Sequence, residues 1–333
     1  MLDLQKEFLE FHDNIKLDDE NDILRQKRDI LLGKLKSKIT DDATSYKTFN
    51  QGSYAMGTGI YPDDGDYDID VGLKFEIDKD DYPDPVTVKK WVYDALDGHT
   101  KKVEIRRSCV TVTYQENNEA QYHIDFAVYA ASNSDGRMYI AKGKEYSASS
   151  EKKWEVSCPQ ELIDTLRDRF TGDDRLQFRR IIRYMKKWKD HQFASGGNSA
   201  PTGIALTVLA YNHFSVNSSF DPVSCKEKYN DLAAISDFVT SVLNCFSLDY
   251  KDGDWYHTIS VNLPVDPYND LFSKMTVKQT EEFYQKLRKM SNELDKVKDS
   301  TKRSDACSVL VGLFGDDFPV TTDRSTVGTS ESA

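Results

Sequence analysis

Two aspartates, Asp68 and Asp70, alternate with Ile69 and Val71 shortly after a glycine-rich stretch. In a β-strand, side chains two positions apart point to the same face, so the two carboxylates should lie together while the apolar side chains face a core. Neighbouring carboxylates repel each other, and Mg²⁺, which prefers oxygen ligands, relieves that repulsion. The pair predicts a metal site, although acidic pairs are also common on solvated strands.

A third aspartate, Asp125, interrupts the otherwise apolar segment Tyr122-His-Ile-Asp-Phe-Ala-Val-Tyr129. A carboxylate on such a strand is costly unless it is paired or bound to a metal. Asp125 is therefore the candidate for a third ligand on a neighbouring strand, which two metal ions would need in addition to Asp68 and Asp70. The alternative is that Asp125 ends a strand near solvent or pairs with an arginine.

A phosphate-binding loop is predicted at Gly52 and Ser53, ahead of the aspartates. Glycine lets backbone amides approach a ligand closely, and the serine hydroxyl can donate a hydrogen bond. A helix beginning there would add donors and a favourable dipole for phosphate. The stretch contains neither the GK[ST] of a Walker loop nor a GxGxxG fingerprint. An ordinary tight turn is the alternative.

Periodicity and composition predict the elements that position these residues. Apolar residues at three- and four-residue steps favour one long helix from about residue 20 to 38. Strand patterns cover residues 46–50, 67–77, 103–114 and 121–131, with a helix at 86–97 between them. From Pro159 onward the patterns are helical only, and an apolar stretch at 305–318 is expected to pack back. The layout is α+β: an N-terminal helix, a mixed sheet lobe and a helical lobe.

Composition excludes several classes of protein. The chain has 333 residues, of which 38% are hydrophobic and 30% charged, which is typical of a globular protein. Neither an apolar run near the ~20 residues of a membrane-spanning helix nor a signal peptide is visible, so a cytoplasmic protein without a membrane partner is expected. The five cysteines and six histidines are scattered, which argues against disulfides and a zinc module. A net charge of −12 disfavours long nucleic acids as partners.

The glycine loop, Asp68-Ile-Asp70 and the later Asp125 together resemble the polymerase-β-like nucleotidyltransferase superfamily. Within it, QGSYAMGTGIYPDDGDYDIDVG followed by HIDFAVYA is similar to the bacterial cyclic GMP-AMP synthase/DncV-like nucleotidyltransferases, the CD-NTases of CBASS anti-phage signalling. The resemblance covers roughly residues 20 to 315. It implies a bilobed α+β fold with a mixed β-sheet catalytic lobe and a helical lobe, braced by a long N-terminal helix. The implied domains are the brace helix in 1–39, the catalytic lobe in 40–157, the helical lobe in 158–318 and a mobile tail in 319–333.

The resemblance also implies a mechanism. Two Mg²⁺ ions, replaceable by Mn²⁺, would be held by Asp68, Asp70 and Asp125. One ion would activate the attacking ribose hydroxyl, and the other would steady the triphosphate of ATP or another nucleoside triphosphate and the departing pyrophosphate. The residues Gln51 to Ser53 would bind the triphosphate.

Family members add a lysine and a hydroxyl from the helical lobe, both contacting the triphosphate. Lys186 matches the lysine best, with Lys187 as a close rival, because the apolar stripe of their helix leaves Lys186 at its edge. That stripe consists of Phe178, Ile181, Ile182, Met185 and Trp188. Thr202 matches the hydroxyl, and it is also a good residue to start a helix.

Two features depart from the family pattern. Gly203 stands where animal relatives often have an aromatic residue that stacks on the base, which leaves Tyr54 and Tyr211 as candidates for that role. The extra Asp66 makes Asp66 and Asp68 an alternative metal pair. The pair Asp68 and Asp70 is preferred because its flanking residues fit the family strand.

The leading functional hypothesis is a synthase that joins ribonucleoside triphosphates into a cyclic di- or trinucleotide second messenger. The alternatives are a nucleotidyltransferase that modifies an RNA end or a protein, and a non-catalytic nucleotide sensor. The resemblance implies further partners: a HORMA-like regulator, or ubiquitin-like conjugation machinery acting on the C-terminus, and a downstream effector that senses the cyclic product.

Overall fold

The strand-like segments of the chain form one seven-stranded mixed sheet in the computed structural model, which describes residues 2–17, 22–61, 67–116, 119–194 and 199–321. The backbone divides into two units, each discontinuous in sequence. The sheet unit contains Lys16–Arg175 and Asn262–Asp270. The helical unit contains the chain up to Ile15, then Leu176–Val261, then the chain from Leu271.

The strands of the large sheet are β1 Tyr46–Gln51, β2 Tyr67–Phe75, β3 Lys102–Ile105, β4 Val110–Glu116, β5 Glu119–Ala130, β6 Tyr139–Lys142 and β7 Lys153–Val156. Their order is β1-β2-β5-β4-β3, and β6 pairs with both β5 and β7. The β2–β5 pair is parallel, whereas the other pairs are antiparallel. The single strand predicted for 103–114 is wrong: β3 and β4 are separate, and Arg106 N–H donates to the Cys109 carbonyl across the turn between them at 2.9 Å.

The α-helices are α1 Gln5–Ile15, α2 Asp22–Lys38, α3 Gly52–Ala55, α4 Pro85–Leu96, α5 Pro159–Asp168, α6 Gly172–Gln192, α7 Gly203–His213, α8 Asp231–Leu243, α9 Val277–Asp299 and α10 Arg303–Phe314. The long N-terminal helix predicted from about residue 20 to 38 is present as α2. Helix α1, which precedes it, adds a second N-terminal helix that the sequence analysis did not separate. Within the described residues, none of the helices is both long enough and apolar enough to cross a membrane.

The core of the sheet unit lies between helices and the apolar face of the sheet. Helix α2 contributes Leu24, Leu31 and Leu35, all fully buried at helical spacing, and α4 contributes Val88 and Val92. These side chains belong to one cluster with the inward-facing residues of β2, β4 and β5. This packing fixes which face of β2 and β5 is apolar, and therefore which face is available for polar groups.

The helical unit has an aromatic core, in which rings from α1, α6, α10 and the segment after α10 pack against one another. Its members include Phe8, Phe11, Tyr184, Phe314 and Phe318. The apolar stretch expected to pack back does so, because Phe314 and Phe318 are fully buried in this cluster.

The prediction of helices only after Pro159 is wrong, because the helical unit also carries two hairpins. They are formed by β8 Ser218–Asp221 with β9 Lys226–Tyr229, and by β10 Ser247–Lys251 with β11 Asp254–Thr258. These strands are short and mostly exposed, so they lack the alternation of apolar and polar residues that identifies a half-buried strand. The Asp252-Gly253 pair at the second turn, with both φ angles positive, is a hairpin signal that was available in the sequence.

Candidate active site

The parallel register of β2 and β5 brings the acidic residues to one face of the sheet. Asp68 lies beside His123, and Asp70 lies beside Asp125, two positions further along the ladder. Between Asp68 and Asp70, Ile69 is fully buried on the opposite face, as the alternation predicts. Four polar side chains therefore share the face that points away from the core.

Three of these side chains approach closely enough to share one ion. Among the described residues, the group of potential ligand atoms within 4.8 Å of one another comes from Asp68, His123 and Asp125. His123 was not among the predicted site residues. Its signal in the sequence was its place two residues before Asp125, which puts both side chains on the same face of β5.

Asp125 is held by neutral hydrogen-bond donors and by the imidazole. The hydroxyl of Thr111, on the neighbouring β4, donates to Oδ1 of Asp125 at 2.6 Å, and Nδ1 of His123 lies 3.2 Å from the same oxygen. The sulfur of Cys109 lies 3.5 Å from the Thr111 hydroxyl oxygen. Asp125 is buried, and within the described part of the chain it contacts Thr111 and His123 and not the arginine that was the alternative.

These contacts set the protonation of the site. Burial by itself would raise the pKa of Asp125, but the hydrogen bond and charge of His123, with the Thr111 and Cys109 hydrogen bonds, outweigh it and lower that pKa. Burial, reinforced by the charge of Asp125, raises the pKa of the Cys109 thiol to about 12. The carboxylate is therefore ionised at neutral pH, while the thiol beside it stays protonated and is not a nucleophile.

Asp70 is directed towards the glycine loop. Gly52 has φ +67°, and a Cβ added to it would lie 1.8 Å from Oδ2 of Asp70. Both the left-handed backbone and the close approach of the carboxylate therefore require glycine at this position. The loop is a tight turn that starts the one-turn helix α3, in which Met56 N–H donates to the Gly52 carbonyl at 3.2 Å.

Gln51 and Ser53 flank this glycine. The Tyr129 hydroxyl donates to Oε1 of Gln51 at 2.7 Å, which fixes the side-chain amide and leaves its NH₂ group to act as the donor. Burial raises the pKa of Tyr129, so the phenol stays protonated and keeps this hydrogen bond. Ser53 is half-buried, and its carbonyl accepts from Thr58 N–H at 2.9 Å, which closes the turn.

Lys186 and Thr202 lie close together in the helical unit. A Cβ added to Gly203 would lie 3.6 Å from Cε of Lys186, so this lysine reaches the start of α7. Thr202 caps α7 by accepting a hydrogen bond from Ala205 N–H at 3.3 Å. Lys187 instead forms an ion pair with Asp317. Lys186 therefore lies beside the start of α7, whereas Lys187 contacts the segment that follows α10.

The remaining candidates are Tyr54 and Tyr211 for base stacking and Asp66 for the alternative metal pair. Tyr54 packs against the core of the sheet unit, and Tyr211 is half-buried on α7. Asp66, the alternative partner of Asp68, lies outside the described residues.

The donor set of the sheet unit fits a divalent cation. Asp68 and Asp125 offer carboxylate oxygens, and the lowered pKa of Asp125 keeps its carboxylate in the charged form that a cation requires. Ligands of Mg²⁺ lie ~2.0–2.1 Å from the ion, so oxygens a few ångströms apart can share one. Asp68 and Asp125 would hold such an ion from two adjacent strands, with Asp70 on the side of the glycine loop.

The comparisons with known proteins identify the same region. Residues 46–129 match the family described as the nucleotidyltransferase domain of cyclic GMP-AMP synthase DncV-like proteins. This range extends from β1 to β5 and contains the glycine loop and all three predicted metal ligands. A cyclic GMP-AMP synthase from Escherichia albertii is 26% identical over 167 residues, which is 49% of this chain and 36% of the relative. The match thus spans little more than a third of that relative.

Solved structures match the fold over nearly the whole chain. The Bradyrhizobium diazoefficiens CD-NTase CdnG in complex with GTP has a TM-score of 0.70 and 13% identity, covering 94% of this chain and 95% of that one. Escherichia coli DncV in its 3'-deoxy GTP bound form has a TM-score of 0.63 and 16% identity, covering 92% and 93%. These neighbours confirm the α+β nucleotidyltransferase fold that the resemblance implied.

Proposed function

We propose that this chain, which carries a DncV-like nucleotidyltransferase domain of the bacterial CD-NTase type, joins ribonucleoside triphosphates into a cyclic di- or trinucleotide. A ribose hydroxyl loses its proton to solvent and attacks the α-phosphorus of a triphosphate. A new P–O bond forms, the bond between the α-phosphorus and the α,β-bridging oxygen breaks, and pyrophosphate leaves. For a cyclic dinucleotide a second such step closes the ring, and a cyclic trinucleotide requires a third. The observation that carries this proposal is the meeting of Asp68 and Asp125 on one sheet face within the matched range.

The carboxylates are assigned to the metal and the loop to the triphosphate. Asp68, Asp70 and Asp125 would hold Mg²⁺, with Mn²⁺ as a substitute. When bound, the ions would neutralise the phosphate charge and lower the pKa of the attacking hydroxyl. Because the Asp70 carboxylate packs against Gly52, the position of the loop is tied to that of the metal ligands.

Three groups at the loop are suited to phosphate oxygens. The NH₂ group of Gln51 donates while Tyr129 holds its carbonyl oxygen. Gly52 lets the backbone approach the ligand, and the Ser53 hydroxyl donates beside it. Each of these donors is neutral, so they can orient the triphosphate without competing with the metal ion for the carboxylates.

Lys186 and Thr202 keep their proposed role as triphosphate contacts. Their support is their mutual proximity at the start of α7 in the helical unit. As the cap of α7, Thr202 accepts a hydrogen bond through its hydroxyl oxygen, and the same hydroxyl can donate its proton to a phosphate.

The substrates are proposed to be ATP and a second nucleoside triphosphate. GTP is the second candidate, because the CdnG neighbour is in complex with GTP and the curated relative is a cyclic GMP-AMP synthase. The product would act as a second messenger in anti-phage defence in the cytoplasm, sensed by an effector protein. Regulation by a HORMA-like protein or by conjugation at the C-terminus belongs to the same proposal.

The test is a product assay with the purified full chain. All four labelled triphosphates are supplied with Mg²⁺ or with Mn²⁺, and phosphatase-resistant products are identified by mass spectrometry. We expect a cyclic product that the variant Asp68→Asn does not form and that Asp94→Asn, at an exposed position on α4, still forms. Label retained on RNA or protein would replace the proposal with a macromolecule-modifying enzyme. Triphosphate binding without turnover would replace it with a sensor.

A further inference from the structure

His123 occupies a ligand position in the carboxylate group. It lies beside Asp68 across the β2–β5 ladder and precedes Asp125 by two residues on the same strand. Its Nδ1 is 3.2 Å from Oδ1 of Asp125, and the ligand atoms of all three residues lie within 4.8 Å of one another. Ligands ~2.1 Å from an octahedral ion are roughly 3 Å apart when adjacent and roughly 4 Å apart when opposite. Small side-chain rotations would therefore let all three residues contact one ion.

The imidazole is also desolvated. His123 is only 8% exposed, and its neighbours in the chain, Tyr122 and Ile124, are buried as well. The alternative explanation for this buried imidazole near two carboxylates is that it only orients Asp125 through the 3.2 Å contact. Under that explanation the ring would remain outside the coordination sphere of the ion.

The chemistry of the donors separates the two explanations. Mg²⁺ takes oxygen ligands and keeps much of its water shell, whereas imidazole nitrogen is a good ligand for Fe²⁺, Ni²⁺, Cu²⁺ and Zn²⁺. Mn²⁺ is the weakest binder of the first-row series, so nitrogen coordination of Mn²⁺ is a stringent test of the imidazole. We propose that His123 is a direct nitrogen ligand of the ion held between β2 and β5, so that this position takes a first-row transition-metal ion in preference to Mg²⁺. The inference rests on the proposed function, because the ion is the one that the nucleotidyltransferase would use.

Mn²⁺ is the probe for the test, since its electron spin reports directly bound nitrogen. Mn²⁺ is added to the purified full chain, and pulsed electron paramagnetic resonance measures nitrogen coupling in unlabelled protein and in protein labelled with ¹⁵N-histidine. We expect a coupling that changes with the isotope in the wild type. The coupling should disappear in His123→Phe and persist in His191→Gln, which alters an exposed histidine at the end of α6.

Affinities provide the second readout. Titrations should show that His123→Phe weakens Mn²⁺ binding about tenfold to a hundredfold, at least as much as the loss of an outer-shell partner would cost. Mg²⁺ binding, measured by competition, should change by about threefold or less, because Mg²⁺ depends on the oxygen ligands. Should His123→Phe fail to fold, His123→Gln, which keeps a polar side chain, should lose the ¹⁵N-histidine coupling in the same way.

The outcomes distinguish this inference from the proposed function. Mn²⁺ binding that Asp125→Asn abolishes, but that shows no nitrogen coupling, would overturn the direct ligand role of His123 and leave the carboxylate site intact. Coupling that persists in His123→Phe would overturn it as well. Absence of any Mn²⁺ binding would overturn both this inference and the metal requirement of the proposed function.

Discussion

Two buried aspartates in the molecule are stabilised in different ways. Asp231, in the helical unit, is fully buried and receives hydrogen bonds from the Arg180 guanidinium at 2.6 and 2.8 Å, with further donors from Gln177 and the Tyr184 hydroxyl. Asp125, in the sheet unit, accepts a hydrogen bond from the Thr111 hydroxyl, and Nδ1 of His123 lies 3.2 Å from the same oxygen. Of the partners named for the two aspartates, only Arg180, which contacts Asp231, carries a permanent positive charge. The difference suggests that Asp231 completes a structural network, whereas Asp125 is oriented for a cation that comes from outside the chain.

The largest expected effect is that of Asp125→Asn on activity. Asparagine keeps an oxygen that can accept from Thr111 but removes the charge that binds the cation. We expect nucleotidyl transfer to fall about 1,000-fold or more, equivalent to about 4 kcal/mol of transition-state stabilisation. Product formation measures the loss, and urea unfolding should show a free energy of unfolding that is unchanged or raised. A large loss of stability would contradict the contrast with Asp231.

The second expected effect is on stability. Asp231→Asn leaves the Arg180 guanidinium buried without its partner, so the free energy of unfolding should fall by about 3–5 kcal/mol. Chemical denaturation measures this, with Asp237→Asn on the same helix as the control, because Asp237 is exposed. Equal effects of the two substitutions would show that the buried ion pair contributes nothing specific.

The third expected effect concerns the contact between the glycine loop and Asp70. Gly52 and Gly98 have nearly equal φ angles of +67° and +68°, but only at Gly52 would a Cβ meet another atom within 4 Å. Gly98→Ala should therefore cost about 1–2 kcal/mol of stability through backbone strain alone, and leave activity unchanged. In Gly52→Ala, the new Cβ should also displace the Asp70 carboxylate. We expect activity to fall about tenfold or more, because displacing catalytic groups by ~1 Å can cost about a hundredfold in rate.

Assays of both glycine variants at matched protein concentrations separate strain from displacement. If Gly52→Ala retained full activity, the position of Asp70 against the loop would be irrelevant to the reaction.

The smallest expected effect is on the pH dependence of stability and concerns Lys89, a buried lysine whose ammonium group is held by backbone carbonyls. Its ammonium group donates to the carbonyls of Arg106, Arg107 and Gly143 at 2.5, 3.1 and 2.7 Å. Burial lowers its pKa from 10.5 to about 8. Because the folded pKa is the lower one, the stability penalty is full below about pH 8 and is relieved as the pH rises towards 10.5.

The comparison of wild type with Lys89→Met isolates this titration from that of other groups. Between pH 7.5 and 9.0, the free energy of unfolding of the wild type should rise by about 1 kcal/mol relative to the variant. Urea denaturation at the two pH values measures the change. A constant difference between the proteins would show that Lys89 has the same pKa in both states.

The sequence analysis located the elements around the site but missed part of its composition. Alternation along β2 correctly predicted that Ile69 and Val71 are buried and that Asp68 and Asp70 share the other face. The hairpins of the helical unit were missed because their strands are too short and exposed to carry a periodic signal. His123 was missed because a lone histidine on an apolar strand is more often part of the core than a ligand.

The sequence by itself determined the types of residue that could act and the local faces on which they lie, because strand and helix periodicity are properties of consecutive residues. Only the tertiary structure decided which of them meet. Pairing of β2 with β5, across more than 50 residues of chain, placed His123 beside Asp68, and the same sheet turned Asp70 towards Gly52. The ion pair of Lys187 with Asp317 likewise depends on the return of the chain after α10. Such contacts depend on register and packing between distant segments, which periodicity along one segment does not encode.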